Sequence, residues 1–150
     1  MNYCFDLART GGLRIAEILA TEVLDNAEHT LTNQCCLVNV RLPLEVMDDG
    51  EATLEEVGMG PASRSKSTFG IVPRSHVTMV TNFLTARCVE EHSTFIAFIF
   101  YRNAWWARLS AQIYLDLEDF EYGGFVLRAL CESVSEKCYM TALPPPVFCC

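Results

Sequence analysis

At 150 residues, 51% apolar and 20% charged, the chain has the composition of one globular domain rather than of a disordered segment. A net charge of −8, with Lys66 and Lys137 the only lysines, argues against nucleic acid as a partner, because phosphate contacts need clustered Lys and Arg. The longest apolar run, residues 95–100, is far too short to cross a bilayer, and no basic–apolar leader opens the chain, so a cytoplasmic protein without membrane contact is expected.

Residues 2–24 read as a helix, since Phe5, Ala8, Gly12, Ile15, Ala16, Leu19 and Val23 recur at spacings of three and four. Gly11-Gly12 in its middle predicts either a break or a close backbone contact. A chain that starts directly on such a helix, with no cap or turn before it, suggests a piece cut from something longer. Beyond the turn-prone Asp25-Asn26, residues 34–42 alternate, with Cys36, Val38 and Val40 against Asn39 and Arg41, which is a strand ended by Pro43. Arg41 reads as a solvated or salt-bridged strand residue.

Residues 45–72 read as a long loop with room for one short helix at 52–57. Its acids, Glu45, Asp48, Asp49, Glu51, Glu55 and Glu56, have no EF-hand spacing and read as a solvated face. Gly58-x-Gly60-x-x-Ser63 lacks the preceding strand and following helix of a nucleotide-binding loop.

Helical period returns over residues 73–89, with Val77, Val80, Leu84 and Cys88 on one stripe and Phe83 and Arg87 beside it. Pro73 suits a first helical turn and Ser75 a cap. Residues 94–101 are apolar on both faces, the pattern of a central, covered strand. Asn103 and Ala104 then turn the chain into a second strand, residues 105–110. The last helix spans residues 116–137, with Asp116 and Asp119 spaced as a capping box and Phe120, Gly124, Leu127, Leu130 and Val134 on its buried face. Residues 140–150, with Pro144-Pro145-Pro146, form an irregular tail. This order predicts an α+β domain over residues 1–139: a small antiparallel sheet with helices packed on one face.

The eight cysteines have no Cys-x-x-Cys pair, and His29, His76 and His92 lie at no zinc-finger spacing from them, so no metal is expected and the internal cysteines read as small buried apolar residues. Cys149-Cys150 forms no four-residue prenylation box.

One residue carries a chemical suggestion. Arg108 follows the apolar strand and the Trp105-Trp106 pair, and its planar charged fork suits a carboxylate or phosphate. The string from Ala104 to Tyr114, Ala-Trp-Trp-Ala-Arg-Leu-Ser-Ala-Gln-Ile-Tyr, resembles the C-terminal part of class V aminotransferase-type enzymes. These are pyridoxal-phosphate (PLP) enzymes of fold type I that include cysteine desulfurases, C–S lyases and isopenicillin-N-epimerase-like proteins. Leu37-Val38-Asn39-Val40-Arg41-Leu42-Pro43 and the opening helix, with Tyr3, Leu7-Ala8, Gly11-Gly12, Ala16 and Leu19-Ala20-Thr21-Glu22, extend the likeness. It is strongest over residues 94–114, weakest over 45–72, and ends at Tyr139. Where the wider class often has Asn after the Tyr, this chain has Leu115.

The resemblance implies the small C-terminal domain of that fold, with Arg108 gripping a substrate α-carboxylate and Ser110, Gln112 and Tyr114 in support. It also implies PLP in the complete enzyme, an amino-acid substrate, and a large domain or homodimer partner. No cofactor is expected on this chain alone: Lys66 lies in a polar, Ser-rich stretch and Lys137 at a solvent-side helix end, and neither suits a Schiff base. The competing readings are a non-catalytic α+β interaction module or remnant, and an Arg108 that is merely packed and paired.

Overall fold

The computed structural model describes residues 2–48 and 69–141. The first helix, α1 (Asn2–Leu19), buries Leu7, Ala8, Gly11, Gly12, Ile15, Ala16 and Leu19 along one side. It runs unbroken through the glycine pair, where, among the described glycines, a Cβ would meet its neighbours most closely. A Cβ at Gly12 would stand 2.4 Å from Val38 Cγ2 of the sheet, so α1 lies on its neighbours nearly backbone to side chain.

The helix stops at Leu19, not at residue 24. Ala20 takes a left-handed conformation (φ 52°), its N–H bonds to Glu17 O at 3.2 Å, and Thr21 N–H bonds back to Ala16 O at 2.9 Å. This is the Schellman arrangement, which closes the last helical carbonyls and turns the chain away. Residues 22–24 then run beside the first strand, β1 (Leu37–Arg41), with Glu22 O accepting from Arg41 N at 2.9 Å and Leu24 N donating to Asn39 O at 2.8 Å.

The segment expected to be one long loop begins and ends in strand. β2 (Leu44–Met47) and β3 (Gly70–Pro73) pair in parallel, Leu44 opposite Gly70 and Met47 opposite Pro73. The acids from Asp49 onward, the expected short helix and the Gly58-x-Gly60 string lie outside the described residues. Pro73 therefore closes a strand instead of opening a helix, at a position where its missing N–H is tolerated. A 3₁₀ turn over Arg74–His76, which includes Ser75, leads into α2 (Val77–His92), whose N-cap is His76. The buried residues of α2 are Val80, Phe83, Leu84 and Cys88, close to the expected stripe.

β4 (Ala97–Tyr101) and β5 (Ala104–Ser110) form a hairpin through Arg102 and Asn103, both at positive φ (51° and 57°) as a two-residue type I′ turn requires. The three-stranded antiparallel sheet has the order β1-β5-β4. The central strand is thus β5, and β4, expected in the middle, is an edge whose residues are only half-buried or exposed. Its doubly apolar pattern arises because Phe98 and Phe100 pack on the core while Ile99 shares the other face with Trp106, its register partner.

The last helix, α3 (Leu117–Ser135), starts on the expected capping box. Asp116 Oδ1 accepts from the N–H groups of Glu118 (2.9 Å) and Asp119 (3.2 Å), and Asp119 Oδ2 accepts from Asp116 N at 2.9 Å. Phe120, Gly124, Leu127, Leu130 and Val134 are all buried. After Lys137 (φ 61°), Tyr139 plugs the core beside Phe83. Residues 142–150, with the proline run and Cys149-Cys150, lie outside the described residues.

The result is an α+β fold. Helix α1 lies on β1 and β5 and α2 on β4, on the side of the sheet that carries Val38, Val40, Trp105, Ala107 and Leu109, while α3 packs chiefly against α1. Trp105 is fully buried, and its indole N–H donates to Thr81 Oγ1 on α2 at 2.9 Å. The other sheet face holds Asn39, Arg41, Trp106, Arg108 and Ser110, and no helix of the described residues packs on it.

Candidate functional site

Alternation along β5 decides which side chains reach the open face. Because Trp105, Ala107 and Leu109 point into the core, Trp106, Arg108 and Ser110 must point the other way. The register places Arg108 in a row with Asn39 of β1 and Ala97 of β4. Arg108 is exposed, and its Nε–H donates to Asn39 Oδ1 at 3.1 Å. Trp106, only 7% exposed, lies one step along the same face, with its indole N–H on Tyr101 O at 3.0 Å.

The charge balance around the arginines singles Arg108 out. Arg9, Arg14, Arg41, Arg74, Arg87 and Arg128 each pair with a carboxylate, on Asp6, Glu17, Glu22, Asp48, Glu91 and Glu132 respectively. The Arg41–Glu22 pair, at 3.1 Å, is the salt bridge expected for that strand residue. Among the described residues only Arg102 and Arg108 have no carboxylate partner. Arg102 lies over the Tyr101 ring at 5.2 Å, whereas the exposed Arg108 is held by a neutral amide, so its charge has no carboxylate counterpart among the described residues.

Of the other expected site residues, Ser110 shares the face of Arg108 and accepts from Gln112 Nε2 at 2.9 Å, so those two side chains satisfy each other. Tyr114 is 79% exposed, next to Ile113 at 84%, and has no hydrogen bond among the described residues. The segment that carries them is fixed at both ends. Ala111 N–H bonds to Cys36 O at 2.7 Å, and Tyr3 donates its hydroxyl proton to Leu115 O at 2.6 Å. Ser110 and Gln112 thus bond to each other and Arg108 to Asn39, with Ser110 on the same strand face as Arg108. Asn39 was missed, because its strand alternation shows only that it faces away from the core. That it stands opposite Arg108 is a matter of register.

A concavity of about 660 Å³ lies between α1 and residues 21–33, away from Arg108, lined by Arg9, Leu13, Ala16, Thr21, Asp25 and His29 among others. Its Asp25 carboxylate is committed internally. Burial would raise its pKa, but bonds from the Thr32 hydroxyl (2.7 Å), Asn26 N–H (2.8 Å) and Leu31 N–H (3.1 Å) outweigh that and hold it below the usual value.

The six described cysteines are free thiols; Cys4, Cys88 and Cys131 are buried, and burial pushes the Cys88 and Cys131 thiols up. Among the described residues no group of three His, Cys, Asp or Glu could hold a metal ion, and no helix is long and apolar enough to cross a membrane. The sole described lysine, Lys137, stands exposed beyond the end of α3.

No family model matches the chain. Over 138 residues it is 35% identical to L-cysteine desulfhydrase-like protein lolT1 of Epichloe uncinata, and over 137 residues 32% identical to L-cysteine desulfhydrase-like protein lolT2 of the same organism. Each alignment covers 87% of this chain, but the chain spans only 28% and 27% of the two relatives' lengths.

Proposed function

We propose that this chain is the substrate-carboxylate-binding part of a larger PLP-dependent enzyme that processes an amino acid by C–S lyase or related chemistry, with Arg108 as the carboxylate ligand. The observation that carries the reading is the exposed guanidinium of Arg108, held by the Asn39 amide and by no carboxylate among the described residues. The likeness to two proteins described as L-cysteine desulfhydrase-like supports cysteine, or an amino acid close to it, as the substrate class.

PLP, when bound to such an enzyme, supplies the electron sink for breaking a bond of the amino acid. The described residues do not fit that cofactor. A Schiff-base lysine works when it is enclosed and desolvated, and Lys137 is exposed at a helix end. The role of this chain is therefore to bind and orient: the Arg108 fork fixes the carboxylate, and Trp105, three residues earlier and buried on the core side of β5, fixes the strand that carries Arg108.

The openness of Phe95 (79% exposed), Ile113 and Tyr114 supports the accompanying reading that a large domain or a second copy packs on this chain, since large apolar side chains this open mark contact surfaces. A non-catalytic interaction module would use the same surface but would not need Arg108.

The deciding experiment is Arg108→Lys in the complete enzyme that carries this segment. Lys keeps the charge and loses the fork, so kcat/KM for the amino acid should fall by about 10–150-fold, the worth of about 1.5–3 kcal/mol for hydrogen bonds to a charged group. An unchanged kcat/KM makes Arg108 structural and favours the interaction module.

A further inference from the structure

We propose that Asn39 is a positioning residue for Arg108, and that it restricts the site to a carboxylate arriving at the outer edge of the guanidinium. The proposal rests on the carboxylate reading of Arg108 given above and adds a second residue and a direction of approach.

The backbone places the two side chains together. Asn39 gives its carbonyl to Leu24 N, and Arg41 its N–H to Glu22 O, while Leu42 N donates to Trp105 O and Cys36 O accepts from Ala111 N. Odd-numbered peptide groups of β1 thus face residues 22–24, and even-numbered ones face β5. Asn39 and Arg108, opposite each other in the register, are therefore a non-hydrogen-bonded pair, in which facing side chains stand closest, about 4.5 Å apart at Cα. With partners on both edges of β1, the Asn39 backbone cannot drift.

The chemistry follows from which nitrogen Asn39 takes. A guanidinium offers a carboxylate two forks, one of Nε with a terminal nitrogen and one of Nη1 with Nη2. Asn39 Oδ1 occupies Nε at 3.1 Å, so only the terminal fork remains complete. On the opposite flank Ala97 contributes a methyl group and no competing acceptor. An amide orients without neutralising, whereas a carboxylate at position 39 would cancel the charge, as happens at the six ion-paired arginines. The Asn39 amide nitrogen has no partner among the described residues and can donate to the same carboxylate.

The test has two parts. In the 150-residue chain, 15N relaxation of the Arg108 Nε–H should report an ordered group that becomes mobile in Asn39→Ala, with backbone amides of β1 and β5 unmoved; an Nε–H equally ordered without Asn39 overturns the contact. In the complete enzyme carrying this segment, Asn39→Ala should raise KM for the amino acid about tenfold and leave kcat within about twofold, consistent with one lost hydrogen bond to a charged group. Asn39→Asp, which keeps the acceptor but adds a charge, should raise KM further. In an Arg108→Lys background Asn39→Ala should add less than about twofold, since the two act as a unit. If Arg108→Lys raises KM and Asn39→Ala does not, Asn39 has no such role and the reading of Arg108 stands. If Arg108→Lys leaves KM unchanged, both fall.

Discussion

Gly11 of α1 lies directly under the ring of Phe120 in α3: a Cβ at Gly11 would stand 2.2 Å from Phe120 Cδ1. Since Phe120 is buried at 3% exposure, the ring has nowhere to retreat. Gly11→Ala should therefore destabilise the fold by about 1–3 kcal/mol through overpacking, even though Ala is the better helix former. Gly123 is the internal control. It lies in α3, and its nearest contact would be Leu109 Cδ2 at an ordinary 3.8 Å, so Gly123→Ala should stabilise by up to about 1 kcal/mol. Urea midpoints of the two variants should move in opposite directions; a parallel shift would contradict this packing.

The strand that carries Arg108 is anchored by a polar bond inside the core. Trp105 is fully buried, and its only side-chain donor, the indole N–H, reaches Thr81 Oγ1, which in turn donates to Val77 O at 2.8 Å. Thr81→Val keeps the shape and removes the acceptor, leaving the indole N–H buried and unpaired. The expected cost is about 1–3 kcal/mol. Trp105→Phe made on top of Thr81→Val should cost less than Trp105→Phe alone, because the unpaired donor is gone. Thermal melts of the four proteins provide the cycle, and simple additivity would rule out the bond.

Asp25 predicts a pH dependence with a definite sign. Its carboxyl is held below the ordinary value, near 4, by the Thr32, Asn26 and Leu31 donors acting against burial. A carboxylate with a depressed folded-state pKa contributes stability that is present above its unfolded pKa and is lost as pH falls through the folded one. Wild type should thus be more stable than Asp25→Ala at pH 7, and the difference should shrink as pH drops below about 4. Taking the difference between the two proteins cancels the titration of the remaining acids. A gap that is the same at pH 3 and pH 7 would show that Asp25 contributes no charge-dependent stability.

How much of this was legible depended on how local the signal is. The capping box of α3 needs only Asp116 and Asp119, three residues apart, and it is present as written in the chain. The end of α1 was not legible, because the left-handed C-terminal position is filled by Ala20, which has none of glycine's signature. The β2–β3 pair joins two short stretches on either side of residues 48–69, and nothing local in Leu44–Met47 announces its partner. The same limit applied at the site. The resemblance singled out Arg108 and Ser110 from the string around them, and alternation along β5 puts both on one face. Asn39 could not be found, since only the β1–β5 register brings a residue 69 positions away into contact with Arg108. The position of β4 at the edge has the same origin, because pairing of β5 with β1 fills the middle of the sheet.

The division of labour proposed for the complete enzyme predicts that this chain by itself forms no stable adduct with PLP. Aldehydes condense with any amine, but in water the product hydrolyses unless the site excludes solvent and grips the phosphate. Lys137 stands exposed beyond α3, on the stretch between Ser135 and Tyr139, with no enclosure that could protect the adduct. Lys66, outside the described residues, is flanked by Ser63, Ser65, Ser67 and Thr68 in the sequence. Incubation with PLP at equimolar concentration, borohydride reduction and mass spectrometry should therefore give labelling well below one group per chain, distributed between both lysines. The free cofactor's absorbance should be unchanged by the protein. Stoichiometric labelling of one lysine, with a saturable absorbance shift, would place a cofactor site in this chain and would overturn its assignment as a carboxylate-binding part alone.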